Sequence, residues 1–181
     1  MTTTSDTLAT YALDPSHSSA EFIARHMVIS KVRGRFGKLS GTLSVPNGAK
    51  VPTQIAVEID AASLDTREEQ RDGHLKSADF LDTDKHPTIT FKSTRITGSS
   101  PSFTVIGDLT VHGVTKPVEI DATFDGEGKD PWGNDRIAFS GETKINRKDF
   151  GLTWNQALET GGVLVGEEIK IELSVEAVRQ A

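Results

Sequence analysis

The sequence predicts an all-β chain: an eight-stranded antiparallel β-barrel with one short α-helix between the third and fourth strands. Eight stretches alternate apolar with polar residues at period two, the mark of strands with one buried and one wet face. Most connections between them are too short for the crossovers that parallel strands require. A single helix cannot cover eight apolar faces, so the strands must bury those faces against one another, as a closed barrel or a sandwich. Closure has the further merit of leaving no exposed edge.

The first strand sets Ala20, Phe22, Ala24 and His26 against Glu21, Ile23 and Arg25. The second sets Leu39, Gly41, Leu43 and Val45 against Lys38, Ser40, Thr42 and Ser44, and the third sets Ile55, Val57 and Ile59 against Gln54, Ala56, Glu58 and Asp60. Thr66 followed by Glu69 reads as a capping box, and good helix formers from Arg67 to Ser77, Gly73 apart, place the one helix there. The fourth strand is short, with Ile89 and Phe91 inward. In the fifth, Phe103, Val105, Gly107, Leu109 and Val111 face in and only Ile106 breaks the polar face. Val118, Ile120, Ala122 and Phe124 mark the sixth strand.

Ile137, Phe139, Gly141, Thr143 and Ile145 mark the seventh strand, and Ile169, Ile171, Leu173, Val175 and Ala177 the eighth. Turn residues separate the strands at Pro46-Asn47-Gly48, Gly98 to Pro101 and His112-Gly113, with a longer loop from Asp125 to Pro131.

At 181 residues the chain is long enough for one hydrophobic core. Residues 1–10 are predicted as a flexible tail and residues 11–181 as a single domain. A net charge of -6 would repel a phosphate backbone, so nucleic acid and anionic membrane surfaces are poor partners. The absence of cysteine excludes disulfides, thiolate metal sites and cysteine nucleophiles. The polar start has neither a basic nor an apolar leader segment, and no apolar run is long enough to span a bilayer, so a cytoplasmic location without membrane insertion is expected. A homodimer is left open.

An eight-stranded barrel either fills itself with side chains or encloses one small ligand. The small inward residues Ala20, Ala24, Gly41, Gly107, Ala122 and Gly141 favour an internal space, although glycine in a strand also marks bulges and corners. His26, at the end of an apolar face, either meets the polar end of a ligand or is a locally satisfied core histidine. Arg71, Asp72 and His74 either cap the pocket or dock the helix. Gly151, Gly161 and Gly162 bracket Trp154 in a loop that is either a gate or an ordinary connection. His17, His26, His74 and His86 fit no metal-ligand spacing, and Asp82-x-Asp84 lacks the glycine and closing glutamate of a calcium loop. No Gly-x-Ser-x-Gly elbow or HExxH motif is present. Asp72 and Asp149 are the carboxylates worth testing for acid–base work.

In order along the chain, Asp14-Pro15-Ser16-His17-Ser18, Phe22, His26, Gly34-x-Phe36, Arg71-Asp72-x-His74-Leu75, Phe80-Leu81-Asp82, Pro87, Phe91, Gly107-x-Leu109-Thr110, Gly113, Lys116 and Asn146-Arg147-Lys148-Asp149-Phe150-Gly151 resemble the YceI-like family. Each signal is weak alone; their order and spacing over Tyr11 to Val178 are specific. The resemblance implies a lipocalin-like, polyisoprenoid-binding barrel whose interior takes a long-chain apolar molecule such as a quinone, a polyprenyl phosphate or a fatty amide. The expected function is sequestration or transport of that lipid.

The candidate ligand-binding residues are Phe22, Ala24, His26, Phe36 and Val57 from the early strands and Arg71, His74, Leu75 and Phe80 from the helical segment. Phe91, Leu109, Phe139, Gly141 and Trp154 complete the set. No catalytic residue, metal ligand or cofactor is predicted. The alternatives are a metal-dependent or hydrolytic enzyme using histidines at the barrel mouth, and a filled, ligand-free stress-response barrel.

Overall fold

The computed structural model describes residues 7–159 and 161–181. Its strand segments are β1 (Leu8–Leu13), β2 (Ser19–His26), β3 (Ser30–Phe36), β4 (Leu39–Pro46), β5 (Gln54–Asp60), β6 (Leu64–Asp65), β7 (Thr88–Ser99), β8 (Ser102–Val111), β9 (Val114–Lys129), β10 (Asp135–Asn146) and β11 (Val165–Arg179). Among the described residues there is one α-helix, α1 (Glu69–Lys76), and two 3-10 turns, Ala61–Ser63 and Arg147–Phe150.

These eleven segments form eight staves, because three staves are broken in two. β1 and β2 run in turn along β11, with Leu13 opposite Ala177 and Ser19 opposite Ser174. β4 pairs with β1 while β3 pairs with β2. β5 pairs with β4 and β6 with β3. Each stave is antiparallel to the next through β7, β8, β9, β10 and β11, and the β1–β11 pairing closes the barrel. The helix falls between the third and fourth staves, as the sequence predicts.

Several expectations need correction. β1 was not predicted, because Leu8, Ala9, Tyr11, Ala12 and Leu13 are apolar on both faces and give no contrast to read. β3 escaped for another reason: Gly34 occupies an inward position where an apolar side chain would have marked the period. Of the predicted tail, Leu8 to Thr10 belong to β1, opposite Pro46, Val45 and Ser44; Met1 to Asp6 lie outside the described residues. The helix begins two residues later than its predicted start at Arg67. Its N-cap is Glu68, whose carboxylate accepts from the amides of Gln70 and Arg71, and Thr66 is not the cap. The loop predicted from Asp125 to Pro131 is mostly strand, since β9 continues to Lys129 past a bulge at Asp125.

The meander sends its connections to two ends. One end carries the turns between β4 and β5, β7 and β8, and β9 and β10, and is filled by a cluster containing Tyr11, Leu43, Val45, Val105 and Ile137. The other end carries the β2–β3 turn, the segment 61–87 with α1, the β8–β9 turn and the segment 147–164. A smaller cluster of Ala61, Ile89, Leu109, Val111 and Phe150 packs at this roofed end. The β2–β3 turn protrudes there with Val28 62% and Ile29 82% exposed.

Candidate ligand-binding cavity

Between the two clusters the inward side chains leave a cavity of about 270 Å³ whose accessible wall is wholly apolar. Ten of the predicted site residues line it: Phe22, Ala24, Phe36, Val57, Leu75 and Phe80, together with Phe91, Leu109, Phe139 and Gly141. Strand alternation places most of these, while Leu75, Phe80 and Leu81 descend from the segment around α1 and form the roof.

His26, Arg71, His74 and Trp154 do not line the cavity. His26 ends β2, opposite Ser30 and Val165. Arg71 is used locally: its Nε donates to the Thr66 hydroxyl and its Nη2 to the Thr66 carbonyl, both at 2.8 Å. Thr66 also donates its amide to Asp72. This knot ties Nε and Nη2 of Arg71 to Thr66 and docks the helix. His74 and Trp154 instead back the roof from outside. Their rings meet edge-on at 4.7 Å, His74 meets Phe80 at 5.1 Å and Phe80 meets Trp154 at 5.3 Å. His74 is oriented by Asp79, 2.9 Å from its Nε2.

The small inward residues account for the empty space only in part. Gly34 lies opposite Phe22, and a Cβ there would stand 2.2 Å from the Phe22 ring. Phe91 covers Gly107 in the same way, and at Gly41 the Ala56 carbonyl approaches within 2.4 Å of the Cβ position. Those glycines admit rings or backbone. Ala20, Ala24, Ala122 and Gly141 are the small residues that line the cavity itself.

Sequence reasoning missed Arg147 as a site residue. It is 2% exposed and lines the cavity, yet the wall shows no polar surface, so its aliphatic stem is what faces inward. The guanidinium donates to the carbonyls of Leu152 (2.6 Å), Trp154 (2.9 Å), Val165 (3.3 Å) and Gly166 (2.8 Å). Burial pushes its pKa below the ordinary arginine value, and the charge of Glu167 opposes that shift. The available signal was the Asn146 to Gly151 run, which interrupts the period-two pattern.

The histidines do not converge as a group. His17 is bound to Asp14 at 3.0 Å, far along the chain from the roof, while His86 meets His112, whose rings lie 4.8 Å apart.

A model of the YceI-like domain matches residues 11–177. The chain belongs to the YceI-like family. A relative, a UPF0312 protein of Azotobacter vinelandii, is 38% identical over 175 residues, covering 95% of this chain and 88% of the relative. The crystal structure of the Campylobacter jejuni YceI protein aligns with a TM-score of 0.76 and 29% identity over 87% of this chain and 90% of that one. A polyisoprenoid-binding domain from Saccharophagus degradans, implicated in plant cell wall breakdown, shares the fold with a TM-score of 0.71, 17% identity and coverage of 94% and 98%.

Two of the motifs that carry the YceI-like resemblance prove to be fastenings. Asp14 accepts from the Ser16 amide and hydroxyl, His17 and Arg136, tying the β1–β2 corner to β10. Arg136 also holds Glu176 at 3.0 Å and Asp130 at 2.9 Å. These contacts, with Arg136 first, keep the Asp14 carboxyl well below the usual carboxylate range, and Arg136 is raised in turn. Asp130 is lowered to about 2, chiefly by the Asn134 amide and then by Arg136. In the second motif, Arg147 straps the segment 152–166 across the roof.

Proposed function

We propose that this YceI-like barrel sequesters or ferries one long-chain apolar molecule, held by its tail in the cavity, and that it is a binding protein and not an enzyme. The observation that carries this reading is an internal cavity with an entirely apolar accessible wall beneath the roof formed by the segment around α1. Its volume stands near the lower limit of the about 300–1,000 Å³ usual for small-molecule pockets. A longer chain therefore emerges past the roof, with its polar head outside. An apolar wall offers no hydrogen bond to a head group and nothing to activate a reacting bond, so selection is by girth and length. Binding would draw on burial at about 25 cal/mol per Å² of apolar surface.

A polyisoprenoid, whether quinone or polyprenyl phosphate, is the finer form of the reading, supported by the description of the Saccharophagus degradans domain as polyisoprenoid-binding. The protruding Val28 and Ile29 at the roofed end support exchange at that end, where a chain leaving a membrane first touches the protein.

Native mass spectrometry of the protein purified from its own host, followed by organic extraction, tests the proposal. About one isoprenoid or long-chain lipid per chain is expected. An empty protein that also refuses added quinones, polyprenyl phosphates and fatty amides would overturn it.

A further inference from the structure

Three side chains at the roofed end, Asp82, His86 and His112, bring one donor atom each to within 4.8 Å of one another, and all three are half-buried. Two come from the roof and one from the wall. Asp82 follows Leu81 and His112 follows Val111, both of which line the cavity. The His86 amide donates to the Asp82 carbonyl at 2.8 Å, a single turn that sets the two side chains together. His112 opens the tight β8–β9 turn at φ 54°, followed by Gly113 at φ 71°.

The surroundings fit the two imidazoles closely. A Cβ on Gly113 would stand 2.8 Å from His86 Cε1, and one on Gly151 would stand 3.3 Å from His112 Nδ1. His112 Nδ1 lies 3.2 Å from the Phe150 carbonyl oxygen. A carbonyl only accepts, so Nδ1 carries the hydrogen and the neutral ring keeps its lone pair on Nε2. Metal-binding histidines are commonly oriented by such a backbone carbonyl. Among the described residues the Asp82 carboxylate and the His86 ring nitrogens have no hydrogen-bond partner.

We propose that Asp82, His86 and His112 form a site for a borderline divalent transition-metal ion of the zinc class, which ties the roof to the barrel wall. Two imidazoles and one carboxylate suit such an ion, whereas calcium and magnesium prefer all-oxygen sets. Donors about 2.0–2.2 Å from a tetrahedral ion lie about 3.3–3.6 Å from one another, so closure of about 1 Å brings these three into place. Water completes the fourth position. The site lies outside the apolar cavity and does not depend on the ligand proposed above.

Isothermal titration of the chelator-stripped full chain with zinc chloride alone tests the site, with hydrogen exchange recorded alongside. One zinc per chain is expected, weakened at least tenfold by His86→Ala or by His112→Ala and unchanged by His17→Ala. Zinc should also raise the protection of amides in residues 77–87 and 111–114. Should either alanine variant fail to fold, His86→Asn and Asp82→Asn take its place, and zinc should raise the melting temperature of the wild type only. Absence of zinc binding, wild-type affinity in the His86→Ala/His112→Ala double variant, or unaltered exchange in both segments would overturn the proposal.

Discussion

Arg147 shows how a buried charge can serve as a strap. Of its carbonyl partners, Leu152 and Trp154 belong to the connection over the roof and Val165 and Gly166 to the start of β11. Arg147→Met would take this donor from all four carbonyls, of which Val165 keeps the Asn155 side-chain amide. A buried acceptor deprived of its partner costs about 1–3 kcal/mol. Urea denaturation should therefore show a loss of at least about 3 kcal/mol. Gly34→Ala acts in the opposite sense, by crowding: the new methyl displaces the Phe22 ring toward the cavity, at a cost of about 1–3 kcal/mol. It should weaken binding of an apolar fluorescent probe. Gly141 is a poorer place to block the cavity than the alternation suggests, because a Cβ there meets Ile120 at 2.9 Å. Ala24→Phe is the better block, expected to remove probe binding while the barrel still melts cooperatively. Phe22, Phe91 and Phe139 were legible as inward because their neighbours alternate. Arg147 was not, since arginine after a strand ordinarily reads as solvated, and only carbonyls supplied by residues 152–166 make its burial tolerable.

At the scale of elements, the staves with one apolar and one polar face were legible in existence and facing, as β10 and β11 show, although β11 starts four residues before the predicted Ile169 and runs two past Ala177. β1 and β3 were not, for want of contrast in one and of an inward side chain in the other. α1 was legible from its composition, but Thr66 serves the Arg71–Asp72 knot and Glu68 is the cap. No residue of α1 is fully buried, so the helix itself relies on this cap and knot, while Leu75, Phe80 and Leu81 anchor the roof to the cavity. Glu68→Ala should cost about 1 kcal/mol, within the range for lost caps. The loss should be confined to the roof: hydrogen exchange faster over residues 66–81, with β8 and β9 unaffected.

On the scale of the whole molecule, closure is fastened at the β1–β2 corner by Asp14, Arg136, Asp130 and Glu176. Asp14 and Asp130 have pKa values lower when folded than the about 3.9 of a free aspartate. Their contribution is fully present above that value and is lost as the pH falls through the folded value, about 2 for Asp130. Stability to urea should therefore decline between about pH 4 and pH 2. Arg136→Met should lower stability at neutral pH and flatten that decline.

The same closure dictates the order in which the barrel can be made. Ser18 and Glu176, which bond each other across the seam, are 158 residues apart in the chain. Joining ends that distant costs about 4–5 kcal/mol in loop entropy before any contact repays it. β11 supplies partners to β10, β1 and β2 together, and it follows all three in the chain. Until it docks, β10, β1 and β2 stand with open edges and the barrel wall is incomplete. Closure is thus a late event in folding by construction, and the chain is most exposed to misassembly before β11 docks.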